Sequence, residues 1–455
     1  MKPLRISFVL AASAWLSGVS APAQTHGVFA DFSTSAGTFT VELDTVRAPR
    51  TVAHFIRLAE GTQSWMDPVN GAARTNPWYA GSGFYKVVPE RENTNNLLAL
   101  QGGLRPVAGA WSGGPGYAIL DEATNGLSHS NGVAAMVTDG PHTGAAEFML
   151  LLTNGAPYWD GRQTVFGRVS AGMDVVQAIA GGGQTDGQLA TPASISTVAI
   201  RRVGAEAEAF DVSAWALPQV VASETALRVE AGTNLSSVAY DVPPKSEYSI
   251  IHTTNLMAPA WSINAMGFNA QTQTIRRTNT FLAQPGEFGT EHYFHAAQAQ
   301  YPVFSAIPLD EMVGITFAAQ EHDGTVYQYW LNLVAKTGFW QNVTTPGAVV
   351  KINDAFMSYE TRRGNCTHLN FMDVNGNIFD YVLGFDAEGA TTGRYYLSLT
   401  SAWPEELLGT EWGACQYAAW NPGAKSKRVA LKLPRRTGPE RRGATISKRG
   451  IRRRE

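Results

Sequence analysis

Side chains able to do chemistry are thinly spread through this chain, and their spacing excludes more than it offers. His292 and His295 lie three apart, but no third ligand stands near them, and His142 and His252 fit no zinc spacing. Asp373, Asn375 and Asn377 alternate oxygen ligands as a calcium loop does. The glycine, however, falls at Gly376 and no Glu takes the twelfth position, so the segment reads as a hairpin turn. Gly181-Gly182-Gly183-Gln184 lacks the lysine of a phosphate loop and reads as a connector. There is no Gly-x-Ser-x-Gly and no Ser/His/Asp set. No further cluster stands out by residue type and spacing. By residue type alone Leu98, Met136 and Met149 are ordinary core, and Lys86 is a solvated strand face. None of them calls for a metal or a cofactor.

The segments carrying these residues are short and turn-bounded. Gly27 to Phe32 and Thr38 to Leu43 alternate apolar and polar around Ser35-Ala36-Gly37, which predicts a hairpin. Ala48-Pro49-Arg50-Thr51 opens a helix whose Val52, Phe55, Ile56 and Ala59 share one face, and Gly61 ends it. Thr62 to Asn76 reads as a polar loop. Strands are expected at Gly83 to Val88, Leu98 to Gln101, Gly132 to Val137, Glu147 to Leu152, from about Thr164 to Val169, and Ser194 to Val203. A second helix fits Ala171 to Ile179. Many short strands capped by two helices point to a closed barrel, the arrangement that leaves no sheet edge exposed.

The same stretch carries, in order, a series of local patterns. Ala48-Pro49-Arg50-Thr51-Val52 with Phe55 and Leu58 is followed by Gly81-Ser82-Gly83-Phe84-Tyr85-Lys86-Val87-Val88 and Gln101-Gly102-Gly103. Next come Gly113-Gly114-Pro115-Gly116-Tyr117, Leu120-Asp121-Glu122, His129 with Gly132, and Gly140-Pro141-His142-Thr143 leading into Glu147-Phe148-Met149. Trp159-Asp160-Gly161-Arg162, Val165-Phe166-Gly167-Arg168-Val169 and Gly172-Met173-Asp174-Val175-Val176 complete it. In this sequence of patterns the chain resembles the cyclophilin-type peptidyl-prolyl isomerases, from about Phe29 to Val203.

The resemblance implies a cyclophilin-like closed β-barrel with two capping helices and a groove for proline-containing polypeptides. Rotation about an X-Pro bond is slow because amide resonance must be broken. A catalyst of that step need only bind the twisted amide better than either planar isomer, which requires no metal and no cofactor. By the resemblance Lys86 stands where the family has an arginine, and Gln101 is retained to hold the peptide backbone; these two are the expected catalytic pair. Leu98 and Met149 stand for the pocket phenylalanines, Glu147 for a glutamine, Tyr158 for a tryptophan and Gln163 for a histidine. These five and Met136 are the expected substrate-lining residues. Lysine carries charge as a point donor without the planar fork of arginine. Glu147 puts a carboxylate beside the pocket, to pair with Lys86 or to repel an incoming carbonyl oxygen. His129 and Glu122 are expected to stabilise the fold. Two functions stay open on the sequence: an isomerase, or an inactive module that binds proline-containing peptides.

A chain of 455 residues is too long for one ordinary domain. With 16% charged residues and 45 glycines, it reads as mainly β. The expected division is a signal peptide over residues 1–23, the cyclophilin-like domain over 24–204, a small β-rich unit or linker over 205–303, an antiparallel β barrel or sandwich over 304–421, and a basic disordered tail over 422–455. Lys2 and Arg5, the apolar run Ile6 to Leu16 and the small residues Ala21-Pro22-Ala23 form the signal pattern, so export to the periplasm or the medium is expected. No apolar run is long enough for a membrane helix. Thirteen Lys and Arg between Lys425 and Arg454, against Glu440 and Glu455, give that tail +11. Export argues against nucleic acid as its partner. Cys366 and Cys415 could form one disulfide in an oxidising compartment if their Cα atoms come close.

Overall fold

The structure, a computed structural model, describes residues 26–419 apart from 91–95, 155, 223–227, 232–234, 255–261, 270–272, 283–292, 304–305, 308, 310–311, 322, 346–347, 363–364 and 403–404. The expected signal segment, the basic tail and His292 lie outside these residues. Three β-rich units follow one another along the chain.

The first unit is a closed barrel of eight strands: β1 (Gly27–Thr34), β2 (Gly37–Leu43), β3 (Gly83–Pro89), β4 (Leu97–Gly102), β5 (Val133–Met136), β6 (Phe148–Leu151), β7 (Val165–Ala171) and β8 (Gln188–Val203). The strands run in the order β1-β2-β7-β5-β6-β4-β3-β8, and pairing of β1 with β8 closes the ring. Alternate side chains point inward, so Phe32, Phe39, Phe84, Phe148 and Phe166 meet in one aromatic core with Phe55 of helix α1 (Pro49–Glu60). Helix α2 (Met173–Ala180) closes the other end. The reading of Thr62 to Asn76 as plain loop is corrected in one detail: Trp65–Met66 pairs with Ala73–Arg74 in a two-residue ladder. Trp65 there is buried edge-on to Trp78.

The N-terminus of α1 shows how a distant residue shapes this unit. Its N-cap, Ala48, offers no side-chain acceptor to the first amides. The Glu122 carboxylate takes that place, accepting from the Arg50 and Thr51 amides at 3.1 and 2.8 Å and from the Thr51 hydroxyl at 2.8 Å. A carboxylate there also opposes the positive end of the helix dipole. His129 is likewise structural, with Nδ1 3.0 Å from Asp160 Oδ1.

Residues 205–303 are a folded unit and not a linker. One antiparallel sheet contains Gln219–Ala222, Tyr293–Gln300, Ser246–Thr253 and Ser262–Asn269; a second contains Arg228–Ala231, Leu235–Val242 and Ile275–Leu282. Leu217, Val220, Ala299 and Tyr301 belong to the same buried cluster as the first barrel. The Ser64 hydroxyl accepts from the Val220 amide at 2.8 Å, which ties the two units further.

The third unit resolves the choice between barrel and sandwich. Strands β9 (Gly314–Gln320), β10 (Val326–Asn332), β11 (Thr337–Asn342), β12 (Val350–Arg362), β13 (Cys366–Asp373), β14 (Asn377–Gly384), β15 (Thr392–Ala402) and β16 (Glu405–Ala419) form a second closed barrel. Phe317, Tyr329, Phe371, Phe379, Tyr381 and Tyr395 fill it, and the Tyr329 and Tyr381 hydroxyls meet at 2.6 Å. The turn after β13 is the expected hairpin: Asp373 Oδ1 accepts from the Asn375 and Asn377 amides, and Gly376 takes a φ of 81°. Cys366 and Cys415 are both buried and form no disulfide; they lie on β13 and β16, with β14 and β15 between them in the ring. Burial pushes the Cys415 thiol well up.

Candidate active site

Four adjacent strands of the first barrel build the site. Lys86 on β3 lies across from Gln101 on β4, Gln101 across from Met149 on β6, and Met149 across from Ala135 on β5. One row thus crosses the outside of the barrel. A bulge at Tyr85, between the partners Phe84 and Lys86, is what brings Lys86 into register with Gln101. Beside this row a buried apolar cluster holds Leu98, Met149, Val133, Ala135 and Leu151, with Tyr158, Trp159 and Val137 packed against it. The structure therefore brings Lys86, Gln101, Leu98, Met149 and Tyr158 to one face. It sends Met136 to the other: this side chain packs inside the barrel with Phe148 and Leu150. The expectation that Met136 lines the groove is thereby corrected. Strand alternation is the reason, because Val133 and Ala135 take the outward positions on β5.

Glu147, immediately before β6, is half-buried. The Tyr85 hydroxyl donates to its Oε1. The Tyr85 ring is stacked on Trp111 at 5.7 Å and 6°. Burial pushes the Glu147 carboxyl above its ordinary range, Asp139 adds to the rise, and the Tyr85 hydroxyl and the Lys86 charge oppose it. Lys86 is thus an electrostatic neighbour of Glu147, and among the described residues no ion pair joins them.

On the far side of the groove two polar atoms are buried without a hydrogen-bond partner: Thr138 Oγ1 and Gln163 Oε1. Both sit at the same end of the β5–β7 pair, where the Met136 amide donates to the Thr164 carbonyl at 2.9 Å. Orphaned atoms of this kind are costly unless something donates to them. The floor between the two sides is closed in this structure, since Leu98 is 1% exposed and Met149 0%. At the end of β3 the Glu90 amide donates to the Asn96 carbonyl at 2.8 Å, and Thr153 donates to the Glu90 carboxylate at 3.2 Å.

Comparison with known proteins decides what this geometry belongs to. The family model described as "Cyclophilin type peptidyl-prolyl cis-trans isomerase/CLD" matches residues 29–204. Peptidyl-prolyl cis-trans isomerase B of Streptomyces anulatus is 34% identical over 156 residues, 34% of this chain and 83% of that protein. The chain belongs to the cyclophilin-type peptidyl-prolyl cis-trans isomerase family. Peptidyl-prolyl cis-trans isomerase-like 1 of Aspergillus fumigatus is 32% identical over 147 residues, covering 32% of this chain and 78% of the relative. A solved cyclophilin-type structure from Cryptosporidium parvum shares 18% identity, covers 39% of this chain and 98% of its own, and gives a TM-score of 0.31.

In this cyclophilin several site residues went unread in the sequence. Tyr85 and Trp111 fix Glu147, and Thr138 supplies the second orphaned acceptor. Tyr85 and Trp111 become neighbours only because the short hairpin Arg105–Val107/Ala110–Gly113 folds back over β3. Thr138 lies two residues past the end of β5, at the same alternation position as the inward Met136, so strand alternation carried no signal for it.

Proposed function

We propose that the N-terminal cyclophilin domain isomerises X-Pro bonds in extended polypeptides bound across the β3–β4–β6–β5 face, and that its clients are exported chains in the course of folding. The observation that carries the reading is the row Lys86–Gln101–Met149, with the Leu98 and Tyr158 side chains beside it. Prolyl isomerisation is the chemistry of its family. In this groove the Lys86 ammonium is the donor that favours the pyramidal prolyl nitrogen of the twisted amide. Gln101 hydrogen-bonds the peptide backbone, and Thr138 Oγ1 and Gln163 Oε1 accept from the peptide on the far side. Export rests on the sequence pattern from Lys2 to Ala23, which the N-terminus of the protein recovered from the cell envelope or medium would test.

The closed apolar floor supports a second reading, in which the groove captures proline-containing peptides without turning them over. One assay separates the two. Cis-to-trans conversion of a proline tetrapeptide is followed with the full chain, with Lys86→Ala and with Lys86→Arg. The isomerase reading expects catalysis above background that falls about tenfold or more in Lys86→Ala, about 1.4 kcal/mol of transition-state stabilisation, and is kept in Lys86→Arg. Peptide binding with no catalysis in any of the three establishes the capture reading.

A further inference from the structure

The second barrel grips one wall of the groove. The loop from Thr138 to Gly144 lies between β5 and β6, and therefore joins the orphaned Thr138 to the half-buried Glu147. Within the loop the Asp139 amide donates to Thr143 Oγ1 at 2.9 Å and that hydroxyl donates to the Gly140 carbonyl at 2.9 Å, while at its end the Gly144 carbonyl accepts from the Ile119 amide at 2.9 Å. Its outer side lies against the end of β14. A Cβ placed on Gly140 would come within 2.7 Å of Val382 Cγ1. A Cβ placed on Gly384 would come within 2.5 Å of Pro141 Cβ and 2.7 Å of His142 Cδ2. Glycine at 384 is what lets the two backbones approach so closely.

Charged groups lock this contact. His142, fully buried at a φ of 61°, has its amide on Asp121 Oδ2 at 2.8 Å, and its Nδ1 lies 3.0 Å from the Asp121 amide nitrogen and 3.3 Å from Asp121 Oδ2. Its Nε2 faces Asp386 Oδ1 at 3.3 Å. Arg394 of β15 donates through Nη2 to Asp121 Oδ1. The Asn365 amide group donates to the Ala118 carbonyl at 2.8 Å on the same side. Asp121 and His142 belong to the first barrel, Asp386 and Arg394 to the second, so the cluster closes only when the two barrels are together.

We infer that the second barrel is a positioning element for the prolyl-peptide groove, holding the Thr138–Gly144 wall through Arg394, Gly384 and Val382. The inference rests on the groove assigned above as the peptide site, but its structural half can be tested without it. Arg394 touches no substrate; it acts through Asp121 and His142 on the backbone that carries Thr138. The same arrangement gives the third unit a role that the matched family region, residues 29–204, does not contain.

The test is hydrogen–deuterium exchange on the full chain, comparing wild type with Arg394→Met and Gly384→Ala. Ala at 384 drives a methyl wedge into Pro141 and removes no charge, so it remains informative if Arg394→Met folds poorly. Exposed Lys351→Ala is the control. Amides between 138 and 144 should exchange at least tenfold faster in both variants, while those of β4 and β6 keep wild-type protection. Unchanged exchange in this segment in a folded Gly384→Ala protein overturns the inference, whatever the activity. If the tetrapeptide assay shows turnover, both variants should raise KM about threefold or more with kcat little changed, and Arg394→Lys should recover part of the loss. A loss confined to kcat would also overturn it. Absence of turnover in wild type would count against the isomerase assignment alone.

Discussion

At the scale of single residues, Glu147 is the group most at odds with its surroundings. Partial burial, with Asp139 nearby, raises the pKa of its carboxyl. A raised carboxyl pKa means the folded state holds a proton that the unfolded state has lost. Stability is then lowered as pH rises from the ordinary carboxylate range, about 4, through the raised value. Glu147→Gln keeps an oxygen to accept from Tyr85 and removes the charge. The expected outcome is a gain of about 1 kcal/mol at neutral pH, vanishing in acid, measured by urea unfolding at several pH values. Equal stability of wild type and variant at all pH values would contradict the burial argument. Type and order along the chain placed Glu147 at the groove, but its partner was not legible. Tyr85 reaches it only because of the β3 bulge, and bulges leave little mark on a strand's residue pattern.

At the scale of elements, α1 was legible nearly to the residue: Pro at its start, one apolar face and Gly61 at a φ of 76° are local signals. Its N-terminal acceptor was not, because Glu122 lies some seventy positions away. Replacing Glu122 by Ala strands two helix amides and the Thr51 hydroxyl. A loss of about 1–2 kcal/mol is expected, in the range of a missing N-cap, read as a lower urea midpoint with an unchanged slope. A loss near zero would mean that water serves the amides equally well. The hairpin β1–β2 and strands β13 and β14 were also legible, since their alternation is strict and their turns carry Gly. Strands β9, β11 and β16 were not: β9 is a nearly continuous buried run, and β11 shows no buried side to alternate with. The middle unit likewise concealed strands such as Leu235–Val242, where small and polar residues blur the period.

At the scale of the whole molecule, the joining of the units by charge was not legible in advance, because the partners Asp121 and Arg394 are far apart in the chain. Burial alone would raise the Asp121 carboxyl, yet His142 and Arg394 outweigh it and hold it far below its ordinary range. Burial alone would lower His142, yet Asp121 and then Asp386 outweigh it and raise it. Stability from a depressed carboxyl is present above its unfolded pKa and lost as pH falls through the folded one. Stability from a raised imidazole is present below its unfolded pKa and lost as pH rises through the folded one. The junction is therefore strongest between about pH 4 and pH 6.5. Each barrel has its own core, so the junction decides whether they unfold together. Calorimetry of the full chain near the middle of that window should show a single transition. Arg394→Met leaves the Asp121 carboxylate buried beside His142 alone, a loss of about 3 kcal/mol for a broken buried pair. Its unfolding should then split into two transitions, and acid well below the carboxylate range should split the wild type in the same way. A variant that still unfolds in one step would place the coupling elsewhere, in the apolar contact of the middle unit with the first barrel.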